Sequence, residues 1–223
     1  MALAMRPSFA LAASHSTTAA HLFALLAGIL TLVWALHYRG GVAIHTDNKD
    51  LIINAHPLIM VLGFIIVAGE GIMAYKLPLM RQMQKTIHLM LHMIALTLGI
   101  FGVYVAFKYH KETQLSDMTS LHSWLGLVSI CLFGIQWLFG FLYFWFPKAP
   151  EPTRVVLVPV HAAAGMAVFL TIICTAETGF AQSMPTDTGT LAESRVINFT
   201  GLFILIFAVL VCISTAIRRI TFY

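Results

Sequence analysis

Polar breaks divide this chain into six apolar runs, at roughly 17–38, 51–75, 85–108, 120–146, 155–177 and 195–217. Each exceeds 20 residues, about the length a helix rising 1.5 Å per residue needs to cross a hydrocarbon layer roughly 30 Å thick. Apolar residues destined for a soluble core would not come in blocks of this size. Turn-forming residues separate the blocks: Arg39-Gly40-Gly41, Leu77-Pro78, Pro147 to Pro152, and the stretch around Met184-Pro185-Thr186-Asp187. The pattern predicts an all-α membrane protein of six transmembrane helices. Residues 1–16 read as a short lead-in, 17–217 as one transmembrane domain and 218–223 as a short tail. No loop is long enough for a second domain, and there is no repeat or low-complexity tract.

Composition agrees. Of 223 residues, 59% are hydrophobic and only 10% charged, against about 25% charged in a soluble domain. The net charge of +4 does not point to nucleic acid, because the basic residues sit in loops beside the apolar runs. One side collects Arg6, Lys76, Arg81, Lys85, Lys148, Arg154, Arg218 and Arg219; the other collects Arg39, Lys49, Lys108, Lys111 and Arg195. That bias predicts both termini in the cytosol. The outer loops also gather Asp47, Asp50, Glu112, Asp117, Glu177, Asp187 and Glu193, leaving Glu151 on the inner side and Glu70 as the only acid inside a helix. Cys131, Cys174 and Cys212 fall inside apolar runs and read as free thiols, and no C-x-x-C-H is present for covalent haem attachment.

The chemistry lies in the histidines. Ten in so apolar a chain is a high number, and ionisable groups at membrane depth are costly enough to signal function. His56 and His122 lie just inside the outer starts of the second and fourth runs, and His88 and His161 just inside the cytosolic starts of the third and fifth. Two imidazoles per face suit a bis-histidine iron at each, within a bundle of runs two to five. Such iron has no open position, so electron transfer is expected rather than oxygen binding. Gly126 and Gly165, one turn beyond His122 and His161, would let a flat macrocycle lie close to the helix. His92 shares a face with His88 and is an alternative ligand; depth favours His88. His21 and His37 bracket the first run without a matching pair, His15 and His45 read as solvated, and His110 ends the third run.

These residues resemble the cytochrome b561 family of transmembrane ascorbate-dependent oxidoreductases and ferrireductases, plant members most. The matching stretches are His37-Tyr38-Arg39-Gly40-Gly41, Asn54-Ala55-His56-Pro57-Leu58-Ile59-Met60, Lys85-Thr86-Ile87-His88, Ser120-Leu121-His122-Ser123-Trp124-Leu125-Gly126, Gln136-Trp137 and Pro159-Val160-His161. The resemblance implies two haems b, held by His56 with His122 on the non-cytosolic side and by His88 with His161 on the cytosolic side. It implies cytosolic ascorbate bound by Arg81, Lys85 and Arg154, a non-cytosolic substrate near His110, and Lys76 beside a haem propionate. A basic cluster with little acid nearby is suited to the ascorbate monoanion. Monodehydroascorbate or a ferric chelate is the implied acceptor, and a homodimer in an endomembrane such as the vacuolar membrane is the implied setting, with the plasma membrane as the other candidate. Thr119 stands where a tyrosine usually precedes Ser-Leu-His, Gln182 where many members have glutamate, and the fifth loop is shortened. These departures touch the outer side alone.

Two other classes use the same residues. A divalent-metal transporter would want carboxylates or thiolates converging at the midplane. A haem-anchoring subunit of a quinone-linked complex would want a partner carrying iron–sulfur or flavin groups.

Overall fold

A computed structural model describes residues 7–185 and 190–220, with side chains for 14–185 and 190–216. Arg6 and Asp187 lie outside these, as do the side chains of Arg218 and Arg219. The described chain is all-helical. Six helices are long and apolar enough to span a membrane: α1 (Ser14–Tyr38), α2 (Lys49–Lys76), α3 (Arg81–Thr113), α4 (Leu121–Trp145), α5 (Glu151–Gln182) and α6 (Leu191–Ala216). The helical backbone of α1 starts at Pro7 and that of α6 runs on to Ile220.

Most helices outrun the apolar blocks because hydropathy marks the hydrocarbon slab, whereas local chemistry marks the helix ends. Asn48 caps α2 by accepting from the Asp50 amide, and Ser120 caps α4 by accepting from the Ser123 amide at 3.2 Å. Pro152 sits in the first turn of α5, where its missing N–H costs nothing. Gln114, in the left-handed region at φ 57°, stops α3. Within α2, Pro57 cannot donate to the preceding turn, and the helix widens to π geometry over Ile59–Ile66 just beyond it.

The helices associate chiefly in pairs, α1 with α6, α2 with α3 and α4 with α5. Ala20, Ala24 and Ala27 put a stripe of small residues on α1, so α6 lies close, with Ile204, Phe207, Ala208 and Val211 in the same buried cluster. Thr17 and Ser214 share a hydroxyl hydrogen bond of 2.7 Å across this pair. At the far end of α1, Arg39 lies 2.7 Å from the buried Glu193 of α6 and over the Trp34 ring. Asn54 of α2 donates to the carbonyls of Arg39 and Gly41, which holds the Gly40-Gly41 turn against the bundle.

The acids differ from the sequence reading. Glu70 is not the only acid inside a helix, since Asp50, Glu112, Glu151, Glu177 and Glu193 also lie within helices, Glu177 against Gly201 of α6. Glu70 also has a partner: it accepts from His21 Nδ1 at 2.8 Å, joining α2 to α1.

Gly69 of α2 faces the Phe207 ring so closely that an added Cβ would collide with it. Phe207 is fully buried and has no room to retreat. Gly69→Ala is therefore expected to destabilise the detergent-solubilised protein by about 1–3 kcal/mol. Gly126→Ala, whose Cβ would meet only the Thr175 methyl at 3.5 Å, is expected to be neutral. Thermal unfolding of the two variants side by side checks this.

Candidate functional site

The α2–α3 pair faces the α4–α5 pair, and a column of rings bridges them. At the end bearing Lys49 and His110, His56 and His122 approach to 6.0 Å between ring centroids, with planes 88° apart. In the middle, Phe64 meets Phe133 edge-on at 5.0 Å. At the end bearing Arg81, Lys85 and Arg154, hereafter the basic end, His88 and His161 stand 6.3 Å apart at 71°. His92 fits between the levels, 4.4 Å from His88 and 5.4 Å from Phe133, with its ring against Gly71.

The spacing tests whether these pairs suit iron. An imidazole nitrogen lies about 2.0–2.1 Å from a coordinated metal, and about 1.2 Å more reaches the ring centre, so two trans imidazoles put their centroids about 6.4 Å apart. Both pairs come within a few tenths of an ångström of that figure. The donor set fits as well. Imidazoles in twos suit a metal that brings its own equatorial ligands, and among the described residues no three His, Cys, Asp or Glu side chains converge to hold a bare ion.

Hydrogen bonds fix the tautomers of three rings. His56 Nδ1 donates to the Gly102 carbonyl at 2.8 Å, His88 Nδ1 to Gly71 at 2.8 Å and His122 Nδ1 to Thr175 at 2.9 Å. A carbonyl can only accept, so the proton sits on Nδ1 and the Nε2 lone pair is free for a metal. His161 differs: its Nδ1 lies 3.0 Å from the Gln136 amide nitrogen, which also donates to the His161 carbonyl at 2.6 Å.

Glycines make the room for these rings, though not the glycines the sequence reading singled out. A Cβ on Gly179 of α5 would lie 2.7 Å from His122 Cε1, and one on Gly140 of α4 would lie 3.0 Å from His161 Cε1. Gly126 instead faces the Thr175 methyl, and Gly165 receives the Gln136 amide. Both lie along the α4–α5 seam.

At the basic end, the Arg81 guanidinium lies 4.5 Å over the Tyr75 ring, which in turn lies 5.2 Å from His88. Lys85 feels the charges of Lys148, Arg154 and Arg81 together. Arg154 Nε is buried with no hydrogen-bond partner among the described residues, a donor that an anion would satisfy. Gln84, buried under this cluster, donates to the carbonyls of Tyr75 and Leu77 and ties the α2–α3 turn down. Lys76 closes the last turn of α2. At the opposite end, His110 Nδ1 bonds Asp117 at 2.9 Å, while Glu112 pairs with both Lys49 and Lys108. Thr119 and Gln182 are exposed there.

An all-helical, multi-pass membrane protein with an interior histidine pair at each end of its bundle has the framework of a membrane cytochrome. Residues 55–186 match the sequence model described as eukaryotic cytochrome b561, and the chain belongs to that family, whose members bind haem b. It is 42% identical over 206 residues to transmembrane ascorbate ferrireductase 1 of Arabidopsis thaliana, covering 90% of this chain and 86% of the relative. It is 41% identical over 209 residues to ascorbate-specific transmembrane electron transporter 2 of Zea mays, covering 91% and 89%. A plasma membrane ascorbate-dependent reductase of Mus musculus is 34% identical over 202 residues, covering 84% and 69%.

Proposed function

We propose that this chain carries single electrons across a membrane, from cytosolic ascorbate at the basic end to monodehydroascorbate or a ferric chelate at the other. The observation that supports this best is the pair of imidazole clamps, 6.0 and 6.3 Å wide, one toward each end of the bundle. His56 with His122, and His88 with His161, would hold two haems b. When bound, these supply the one-electron carriers, and the protein supplies everything that selects and orients the reactants.

Arg81, Lys85 and Arg154 attract the ascorbate monoanion and fix it at the basic end. Tyr75 keeps Arg81 stacked and, lying against His88, sets how near the anion comes to the clamp. Lys148 adds its charge to the same field, although the sequence reading treated it only as a loop cation. Lys76, in the last turn of α2, would offer its cation to a haem propionate. At the far end Asp117 holds His110 by Nδ1, which turns Nε2 toward an incoming acceptor. A basic end in the cytosol places both termini there. A homodimer in the vacuolar membrane is the setting this reading carries; the plasma membrane is the other candidate, as the name of the Mus musculus relative suggests for that protein.

Purified protein is expected to carry two haems per chain and to develop sharp low-spin α bands when ascorbate is added. A colourless protein from haem-replete cells would sink the proposal. Lys85→Gln and Arg154→Gln should each raise the ascorbate concentration for half-maximal reduction roughly 10- to 100-fold, the loss of one charged hydrogen bond of about 1.5–3 kcal/mol. Reductants without negative charge should be unaffected by either change.

A further inference from the structure

Three residues at the α2–α3 turn close a triangle of contacts. Gln84 is buried, and its amide nitrogen donates to two main-chain carbonyls, Tyr75 at 3.3 Å and Leu77 at 2.8 Å. Both amide hydrogens are thereby committed, and the side chain cannot flip without losing both bonds. The amide oxygen is left facing Arg81 Nη1 at 3.5 Å. The guanidinium carbon of the same arginine lies over the Tyr75 ring, 4.5 Å from its centre. Gln84 thus takes one corner of Arg81, Tyr75 takes its underside, and Gln84 also fixes the main chain of Tyr75. Among the described residues Gln84 is the only hydrogen-bond partner of Arg81.

An exposed arginine ordinarily samples many rotamers. Arg81 is exposed but held, and neither contact neutralises it, because an amide oxygen and an aromatic ring both carry no net charge. What results is an oriented cation with its charge unspent. A guanidinium held this way offers a planar edge with parallel N–H groups at a set angle, which an ammonium does not have. The ascorbate monoanion is an enediolate, whose two ring oxygens stand side by side in one plane and suit such an edge. We propose that Gln84 and Tyr75 are positioning residues that turn Arg81 from a general attractor of anions into an oriented fork for the paired oxygens of an enediolate. Lys85, Lys148 and Arg154 add charge to the site; Arg81 adds shape. The inference rests on the proposed function, in which ascorbate docks at the basic end.

The test is the reduction of haem-loaded, full-length protein by ascorbate in a stopped-flow instrument, read as a half-saturating concentration and a limiting rate. Arg81→Lys keeps the charge and removes the fork. Half-saturation should rise about tenfold while the limiting rate stays within about twofold. Gln84→Met should raise half-saturation about threefold alone and add nothing to Arg81→Lys, because a lysine has no edge to orient. A Gln84→Met cost that is absent alone, or that adds in full to Arg81→Lys, would overturn the proposal. Should Gln84→Met not hold two haems, Tyr75→Leu and Tyr75→Phe decide. The leucine should cost about threefold alone and far less beside Arg81→Lys, with the phenylalanine silent because it keeps the ring; a leucine cost that adds in full would refute the inference. Arg81→Lys within about twofold of wild type would also overturn it. A rise confined to Arg81→Gln would then leave charge as the whole of Arg81's part and the proposed function standing. Wild-type protein with two haems that ascorbate does not reduce would defeat the proposed function itself.

Discussion

His122→Leu protein is expected to purify with one haem per chain in place of two. It should still be reduced by ascorbate, yet pass no electrons across a sealed vesicle. His122 is the partner of His56 across the 6.0 Å clamp. Loss of a coordinating side chain should cost more than the roughly 10- to 100-fold that follows loss of a supporting hydrogen bond. His161→Leu should also leave one haem, but the remaining one should lose its ready reduction by ascorbate from the basic end. His92→Leu should keep both haems, because His88 rather than His92 faces His161 at 6.3 Å. Haem quantified per chain, with the α-band spectrum before and after ascorbate, separates the three variants. A His92→Leu protein with a single haem would reverse the assignment of the α3 ligand.

Adding one methyl group should do nearly as much damage at Gly179. Its Cβ would lie 2.7 Å from His122 Cε1 and 2.9 Å from Nδ1, closer than carbon atoms pack. The imidazole must swing away from the Thr175 carbonyl, its 2.9 Å acceptor. Gly179→Ala is therefore expected to weaken haem retention at that end about 10- to 100-fold, the cost typical of a lost supporting contact. Gly140→Ala, with 3.0 Å to His161 Cε1, should be milder. Gly134→Ala, whose nearest neighbour is a Leu96 methyl at 3.8 Å, should be silent. Haem transfer to excess apomyoglobin measures the order, and a Gly134 variant as leaky as the Gly179 variant would show that the cradle is not what matters.

The six helices were legible because the hydrocarbon slab dictates the length of every apolar run. Their ends were less so: the run at 85–108 became Arg81–Thr113, since polar residues extend a helix past the slab without changing its hydropathy. The histidine pairs could be sorted because alternating helix direction leaves few ways to group four residues at matched depth. Their supporting contacts could not, because Gly102, Gly71 and Thr175 act through main-chain carbonyls, which every residue has. Gly126 and Gly165 are hard to read for a related reason, since a small residue looks the same whether it faces a cofactor, a Thr175 methyl or the Gln136 amide. One usable signal was overlooked. Gly140 stands as far beyond His122 as Gly179 stands beyond His161. In antiparallel neighbours that equal spacing sets each glycine beside the other helix's histidine. The His21–Glu70 contact joins helices by side chains that carry no spacing rule at all.

The middle of the ring column has a consequence for bookkeeping between compartments. Phe64 and Phe133 are buried there, in the same apolar cluster as Ala95 and Ile130, so the rings that join the two ends are apolar at this level. On the proposed function, each electron would cross apart from its proton. Ascorbate would give up a proton with its electron in the compartment of the basic end, and monodehydroascorbate, if it is the acceptor, would take one up in the other. Vesicles loaded with that acceptor should therefore turn alkaline inside as they work. Vesicles loaded with a ferric chelate, which gains an electron without a proton, should not. The pH of the enclosed volume thus reports which acceptor is in use.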